Sequence, residues 1–204
     1  LNYCGNYLYS YEWINGNTLY DVDDLNIWKN FLSFCNQNLW KKTDLDNQFS
    51  KTCKKFYYDK TVDRLKLFLD RRDDSFSGEH NVNGVNTKTI HYLLENFNWE
   101  NVYDGVPTKI FHGDLQFDNV VYGDDNNFYL LDWRQDFAGS NVGDVYYDLA
   151  KMYGGILMSY KLMKDDKNFS CLIDGDLVHY NYSSENTLDS FADTYQKWII
   201  ESGY

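Results

Sequence analysis

The sequence predicts an α+β fold, mostly helical, in which short β-hairpins carry the loops that hold the chemistry. Three observations predict it. Apolar residues recur at helical spacing over five stretches, two turn-centred pairs of strand-like runs read as hairpins, and one polar loop between strand-like runs, HGDLQFDN at 112–119, concentrates ionisable and amide side chains. With 204 residues, 43% hydrophobic and 25% charged, the chain is long enough for one domain with a substantial core, or for a large lobe of something bigger.

Residues 3–14, YCGNYLYSYEWI, are aromatic-rich and partly alternating, which favours a strand, and Asn15-Gly16-Asn17 breaks it. From 21 to 40, Val22, Leu25, Trp28, Phe31, Leu32, Cys35 and Leu39 mark one helical face, with acids in the first turn and Lys41 and Lys42 just past the last. At that spacing Trp28 and Trp40 are core residues rather than an aromatic cage for a quaternary ammonium. Residues 49–69 repeat the pattern through Phe56, Val62, Leu65, Phe68 and Leu69, so a second long helix follows. The polar, Gly-dotted 71–86 reads as a loop or lid, and 87–99 as a helix capped by Thr87.

After Pro107, TKIFH is strand-like, and Ile110 with Phe111 buries its end. Residues 120–122 and 128–131 flank GDDNN, a hairpin by turn chemistry, with Asp124 and Asp125 as tip residues rather than metal ligands. A helix starting near Gly143 carries Asp144 and Asp148 on one face and runs to 163, weakened or kinked at Gly154 and Gly155. A hairpin around Asp174-Gly175-Asp176 and a last helix over 185–200 complete the chain.

The loop at 112–119 brings His112, Asp114 and Asn119 together, with Gly113 providing backbone latitude, and the hairpin after it delivers Asp132 beside Asn119. A loop carboxylate, a nearby amide and a second carboxylate are what phosphoryl transfer asks for: one group to orient an attacking hydroxyl, two to hold Mg²⁺.

HGDLQFDN followed by LLDW resembles the catalytic and metal-binding loops of the aminoglycoside phosphotransferase and choline kinase family, whose fold is protein-kinase-like. The resemblance implies that Asp114 is the catalytic base, that His112 orients the loop, and that Asn119 and Asp132 hold Mg²⁺ for ATP. It extends more loosely from YSYEWINGNTLYD to DVYYDLAKM. On it, 1–20 are the last strand of a small N-terminal lobe and the hinge, and 21–204 the catalytic C-terminal lobe. Glu12, Trp13, Ile14 and Asn15 would line the nucleotide base, an ordinary edge strand and turn being the alternative. Asp148 would brace the catalytic loop. Arg134 is read either as a contact to phosphate or acceptor or as a surface partner of Asp136. The helices and the 71–86 lid would shape the pocket of a small-molecule hydroxyl acceptor: an aminoglycoside, an amino alcohol or a sugar-like compound. The Gly-containing phosphate loop and strand Lys of the family do not precede the hinge here, since the first basic residue is Lys29. The N-terminal lobe is therefore expected largely outside this chain, on a longer or fused protein; the alternative is a catalytically silent kinase-like lobe that binds or scaffolds.

Composition narrows the partners. A formal charge of −12, from 19 basic against 31 acidic residues, argues against a general nucleic-acid binder and leans towards a cationic substrate. Cys4, Cys35, Cys53 and Cys171 are scattered without metal-ligand spacing and read as free thiols of a reducing cytoplasm. No apolar run is long enough for a membrane span and no leader pattern opens the sequence, so no membrane partner is expected. A dinuclear metallophosphatase is disfavoured, because it needs clustered histidines and the chain has four in all.

Overall fold

The aromatic N-terminal stretch does not run as one strand. In the computed structural model, which describes residues 2–4, 8–10, 12–44, 47–71, 78–184 and 186–204, β1 (Asn2–Cys4) turns back on β2 (Leu8–Ser10) as an antiparallel pair. Residues 12–15 are irregular, and Asn15-Gly16-Asn17, expected as a break, leads instead into β3 (Gly16–Thr18). Gly16 permits this: a Cβ there would run into the backbone of Tyr122 on the neighbouring strand.

Helix α1 (Leu25–Asn38) starts where Asp24 Oδ1 accepts the amide of Asn26 at 2.7 Å. The acids at 21–24 thus precede the helix rather than occupy its first turn, and Asp21 pairs with Thr18 and Lys161. Trp28, Phe31, Leu32 and Cys35 form its buried face.

The expected helix over 49–69 is one helical run with an irregularity inside it. α2 (Phe49–Lys54) passes through a π-helical turn at Lys55–Asp59 into α3 (Lys60–Leu69). The wide turn shifts the face: Phe49, Cys53 and Phe56 are buried, whereas α3 has no fully buried residue. Part of the expected lid, 72–77, lies outside the described residues; 81–86 fold into a small hairpin of β4 (Asn81–Val82) and β5 (Val85–Asn86). α4 (Ile90–Asn96) is capped by Thr89, not Thr87, whose hydroxyl bonds the His80 carbonyl.

β6 (Pro107–Thr108) is shorter than TKIFH suggested, and Ile110 stays 39% exposed while Phe111 is buried. β7 (Val120–Gly123) and β8 (Phe128–Leu130) form the hairpin read from the sequence; β3 joins it in the order β3-β7-β8. At its tip the Asp125 carboxylate is used by Asn127 and Tyr129. β9 (Gly143–Asp144) pairs with β6 and leads into α5 (Val145–Leu157), whose N-cap is Asp144. The glycines at 154 and 155 do not end that helix. It stops at Met158, and Ser159 caps a short α6 (Tyr160–Met163). β10 (Phe169–Asp174) and β11 (Leu177–Tyr182) form the second hairpin, extended by β4 and β5 in the order β10-β11-β4-β5, and α7 (Asn186–Glu201) follows.

Two apolar clusters hold these elements. The larger joins α1, α5 and α7 to Leu19, Leu115, Phe117 and Val120; Trp28 and Trp40 are each 2% exposed within it. The smaller gathers Phe49, Cys53, Phe56, Tyr103, Phe111 and Phe137, with Phe56 stacked on Phe137 at 3.9 Å. Cys35 and Cys53 are buried free thiols and Cys171 an exposed one. Among the described residues no helix is long and apolar enough to cross a membrane.

Candidate active site

The segment 112–114 is stretched between the two clusters: Phe111 sits in the smaller, Leu115 and Phe117 in the larger. At such a junction the backbone has no strand partner, so its amides need other acceptors. The Asp148 carboxylate, fully buried on α5, supplies them. Its Oδ1 accepts the Gly113 amide at 2.6 Å, and its Oδ2 accepts the His112 amide at 2.8 Å and the Trp40 indole N–H at 3.1 Å. Burial outweighs these three donors and pushes the Asp148 carboxyl up to about 6. Asp144, one turn earlier, accepts the amides of Val106 and Tyr146 and the Tyr57 hydroxyl, fixing the strand that enters the loop.

Gly113 has φ +81°, and a Cβ on it would run into the side chain of Arg134. That side chain donates from Nε to the Gly113 carbonyl at 3.0 Å, while the Arg134 amide donates to the His112 carbonyl at 2.8 Å. Arg134 makes no salt bridge with Asp136 among the described residues. Its guanidinium lies instead over the rings of Phe56 and Tyr147.

His112 is buried and closes the far side of the site. Its Nε2 lies 2.7 Å from the Leu131 carbonyl, which can only accept, so Nε2 carries the proton; Nδ1 then accepts the Asp114 amide at 3.2 Å. Burial holds this imidazole below its ordinary pKa, consistent with a neutral ring that bridges two segments. The Asn119 amide donates from Nδ2 to the Asp114 carbonyl at 2.8 Å, and the Asn119 carbonyl accepts the Leu131 amide at 2.9 Å. His112, Asp114, Asn119 and Leu131 are therefore tied into one ring of hydrogen bonds, with Asp132 the next residue along the chain. Asp132, exposed at its end, has φ +55°, a backbone conformation that Asp adopts more readily than most residues.

Glu12, Trp13, Ile14 and Asn15 lie at the other end of the same sheet. The Asn15 carbonyl accepts the Asp124 amide at the hairpin tip, and Trp13 is 82% exposed. The four residues of β7 lie between Asn119 and Asp124 at that tip, a span of roughly 16 Å.

Two participants were not read from the sequence. Lys151 Nζ stands 2.7 Å from Asp114 Oδ1, and it lines a cavity of about 310 Å³ with Gln116, Gly155 and Tyr160. It falls three residues after Asp148 on the same helix, a spacing that would have pointed to it. Trp40, whose indole holds Asp148, gave no signal beyond its apolar character.

Asn119 and Asp132 are the side chains that could hold a cation. The Asn119 amide nitrogen is committed to Asp114, which leaves its Oδ1 without a hydrogen bond among the described residues. Two such oxygen donors, with phosphate and water oxygens completing the shell, would suit Mg²⁺. Among the described residues no three His, Cys, Asp or Glu side chains cluster as a metal site. Comparison with known protein families, with curated protein sequences and with solved structures finds no match to this chain.

Proposed function

We propose that this chain is the catalytic lobe of an ATP-dependent small-molecule kinase, moving the γ-phosphoryl group to a hydroxyl of an aminoglycoside, amino alcohol or sugar-like acceptor in the cytoplasm. The observation that carries the reading is the hydrogen-bonded ring through His112, Asp114, Asn119 and Leu131, which ties the loop bearing Asp114 and Asn119 to the strand end that leads into Asp132. In this reading Asp114 aligns the acceptor hydroxyl and takes its proton as the bond to phosphorus forms; because the transition state is loose, alignment contributes more than basicity. Asn119 and Asp132 hold Mg²⁺, which when bound neutralises the β- and γ-phosphates. Lys151 adds a positive charge beside Asp114 where negative charge gathers. Residues 12–15 cradle the base, with the nucleotide laid along β3 and β7 towards Asn119, and an N-terminal lobe outside these residues covers the phosphates.

The test is Asp132→Asn, chosen because Asn tolerates the left-handed backbone. Mg²⁺-ATP should raise the Tm of the unaltered protein and, with an acceptor from a hydroxyl panel, release ADP. The variant should keep its circular dichroism and lose both responses. Full activity in Asp132→Asn would contradict the assignment.

A second reading, a silent lobe that binds or scaffolds, is favoured by one observation: the Lys151 ammonium already occupies Asp114 Oδ1. It predicts no ADP release with any acceptor, in this chain or in a longer one carrying an N-terminal lobe.

A further inference from the structure

Beside Arg134, whose side chain bonds the Gly113 carbonyl, lies an open cavity of about 450 Å³ between the π-helical turn with α3 and the segment after Asp132. That volume is in the range of small-ligand sites. Four cations line it: Lys55, Lys60, Arg64 and Arg134. In a chain of formal charge −12 this is a local reversal of sign. Three carboxylates, Asp59, Asp63 and Asp136, line it as well, so the wall carries an excess of positive charge rather than a balance. Yet none of the four cations takes part in a salt bridge among the described residues. Asp136 instead accepts the Gly139 amide.

Aromatic faces hold two of these cations, Lys60 and Arg134, where they are. Lys60 Nζ sits 4.0 Å from the centre of the Phe56 ring, and the Arg134 guanidinium lies 5.4 Å from the same ring. Burial, together with Arg134 and Arg64, pushes the Lys60 ammonium down to about 8. Asp136 offsets part of this at Lys60, but four cations against three carboxylates, with no ion pair between them among the described residues, remain an electrostatic cost that a bound anion lowers. Arg134 also fixes where such an anion would stand, because its Nε is bonded to the carbonyl of Gly113, next to Asp114.

We propose that this cavity is an anion subsite for the acceptor, so that the protein takes a hydroxyl compound that itself carries a phosphate group, held by Lys60, Arg64 and Arg134. This runs against the cationic substrate that net charge alone suggests. The assignment to the acceptor rests on the phosphotransferase reading, and the anion site itself is read by binding rather than turnover.

The test is calorimetric titration of the full chain, without nucleotide, with inorganic phosphate and glycerol 3-phosphate, against glycerol and choline. Saturable binding is expected for the two phosphates and none for glycerol or choline. A Lys60→Met, Arg64→Met double variant should weaken phosphate binding at least tenfold while melting normally, and Asp132→Asn should bind phosphate as the unaltered protein does. Phosphate binding that survives the double substitution, or choline binding as tightly as glycerol 3-phosphate, overturns the proposal. A further arm adds Mg²⁺-ATP: if it competes with glycerol 3-phosphate and the double variant loses both, the cavity serves the donor and the acceptor assignment falls. Failure of ADP release leaves the phosphate titration readable, so the two claims fail separately.

Discussion

Replacing Asp148 by asparagine and following stability against pH pits burial against hydrogen bonding at one carboxyl. Three donors, at 2.6, 2.8 and 3.1 Å, favour the ionised form, whereas complete burial favours the neutral one. Burial wins and carries the group from 3.8 to about 6. A raised folded-state pKa means that the native protein binds this proton more tightly than the unfolded chain does. The resulting stabilisation is complete below about pH 4 and lost as pH rises through 6. At about 1.4 kcal/mol per pH unit the whole effect is about 3 kcal/mol, of which about 2 kcal/mol falls between pH 4.5 and 7.5. An asparagine side chain does not titrate, so the Asp148→Asn variant should gain about 2 kcal/mol on the unaltered protein over that interval. Urea unfolding at four pH values measures it; the coupling to Asp144 is the smallest of the influences on Asp148, so its loss in the variant changes the slope little. A difference independent of pH would refute the dominance of burial, and one of opposite slope would show that the three donors prevail.

Gly113→Ala should cost about 2 kcal/mol or more, from the left-handed backbone and the collision with Arg134, and chemical denaturation would read it; unchanged stability would mean that the loop backbone is other than described. Phe137→Ala removes a fully buried ring stacked on Phe56 and should lose about 3–5 kcal/mol by the same measurement, with a loss below about 1 kcal/mol contradicting the packing of the smaller cluster. Lys151→Met should change stability by less than about 1 kcal/mol, because the ion pair with Asp114 is partly exposed. On the kinase reading it should slow transfer at least tenfold with little change in Mg²⁺-ATP affinity, and Lys151→Arg should recover part of the rate; unaltered turnover would remove Lys151 from the site.

The features legible from the sequence were those that repeat. The period of α1 and α7 and the turn chemistry of both hairpins identified these elements because several residues carried the same signal. Local competition between neighbours was less legible. Thr87 and Thr89 offer the same cap, and which one serves depends on the His80 carbonyl, a contact set by the fold. β3 forms at an apparent breaker because Tyr122 is there to pair with it. In the site, the loop residues stood out by type and spacing, while Lys151 enters from α5 and Trp40 from the segment just past α1, both remote in sequence. Arg134 had two readings, and its aromatic neighbours were in neither.

The π-helical turn at Lys55–Asp59 has a consequence for the chain's tolerance to change. It holds one residue more than regular α geometry, and each residue of an α-helix turns the axis by about 100°. The wide turn spreads that extra residue over nearly the angular sweep that regular winding covers with one fewer, so deleting a single residue there would leave Lys60 and Arg64 facing Arg134. A deletion inside α3, between Lys60 and Arg64, would instead rotate everything beyond it by that angle and carry Arg64 to another side. The turn is therefore the place in this helical run most tolerant of a change in length.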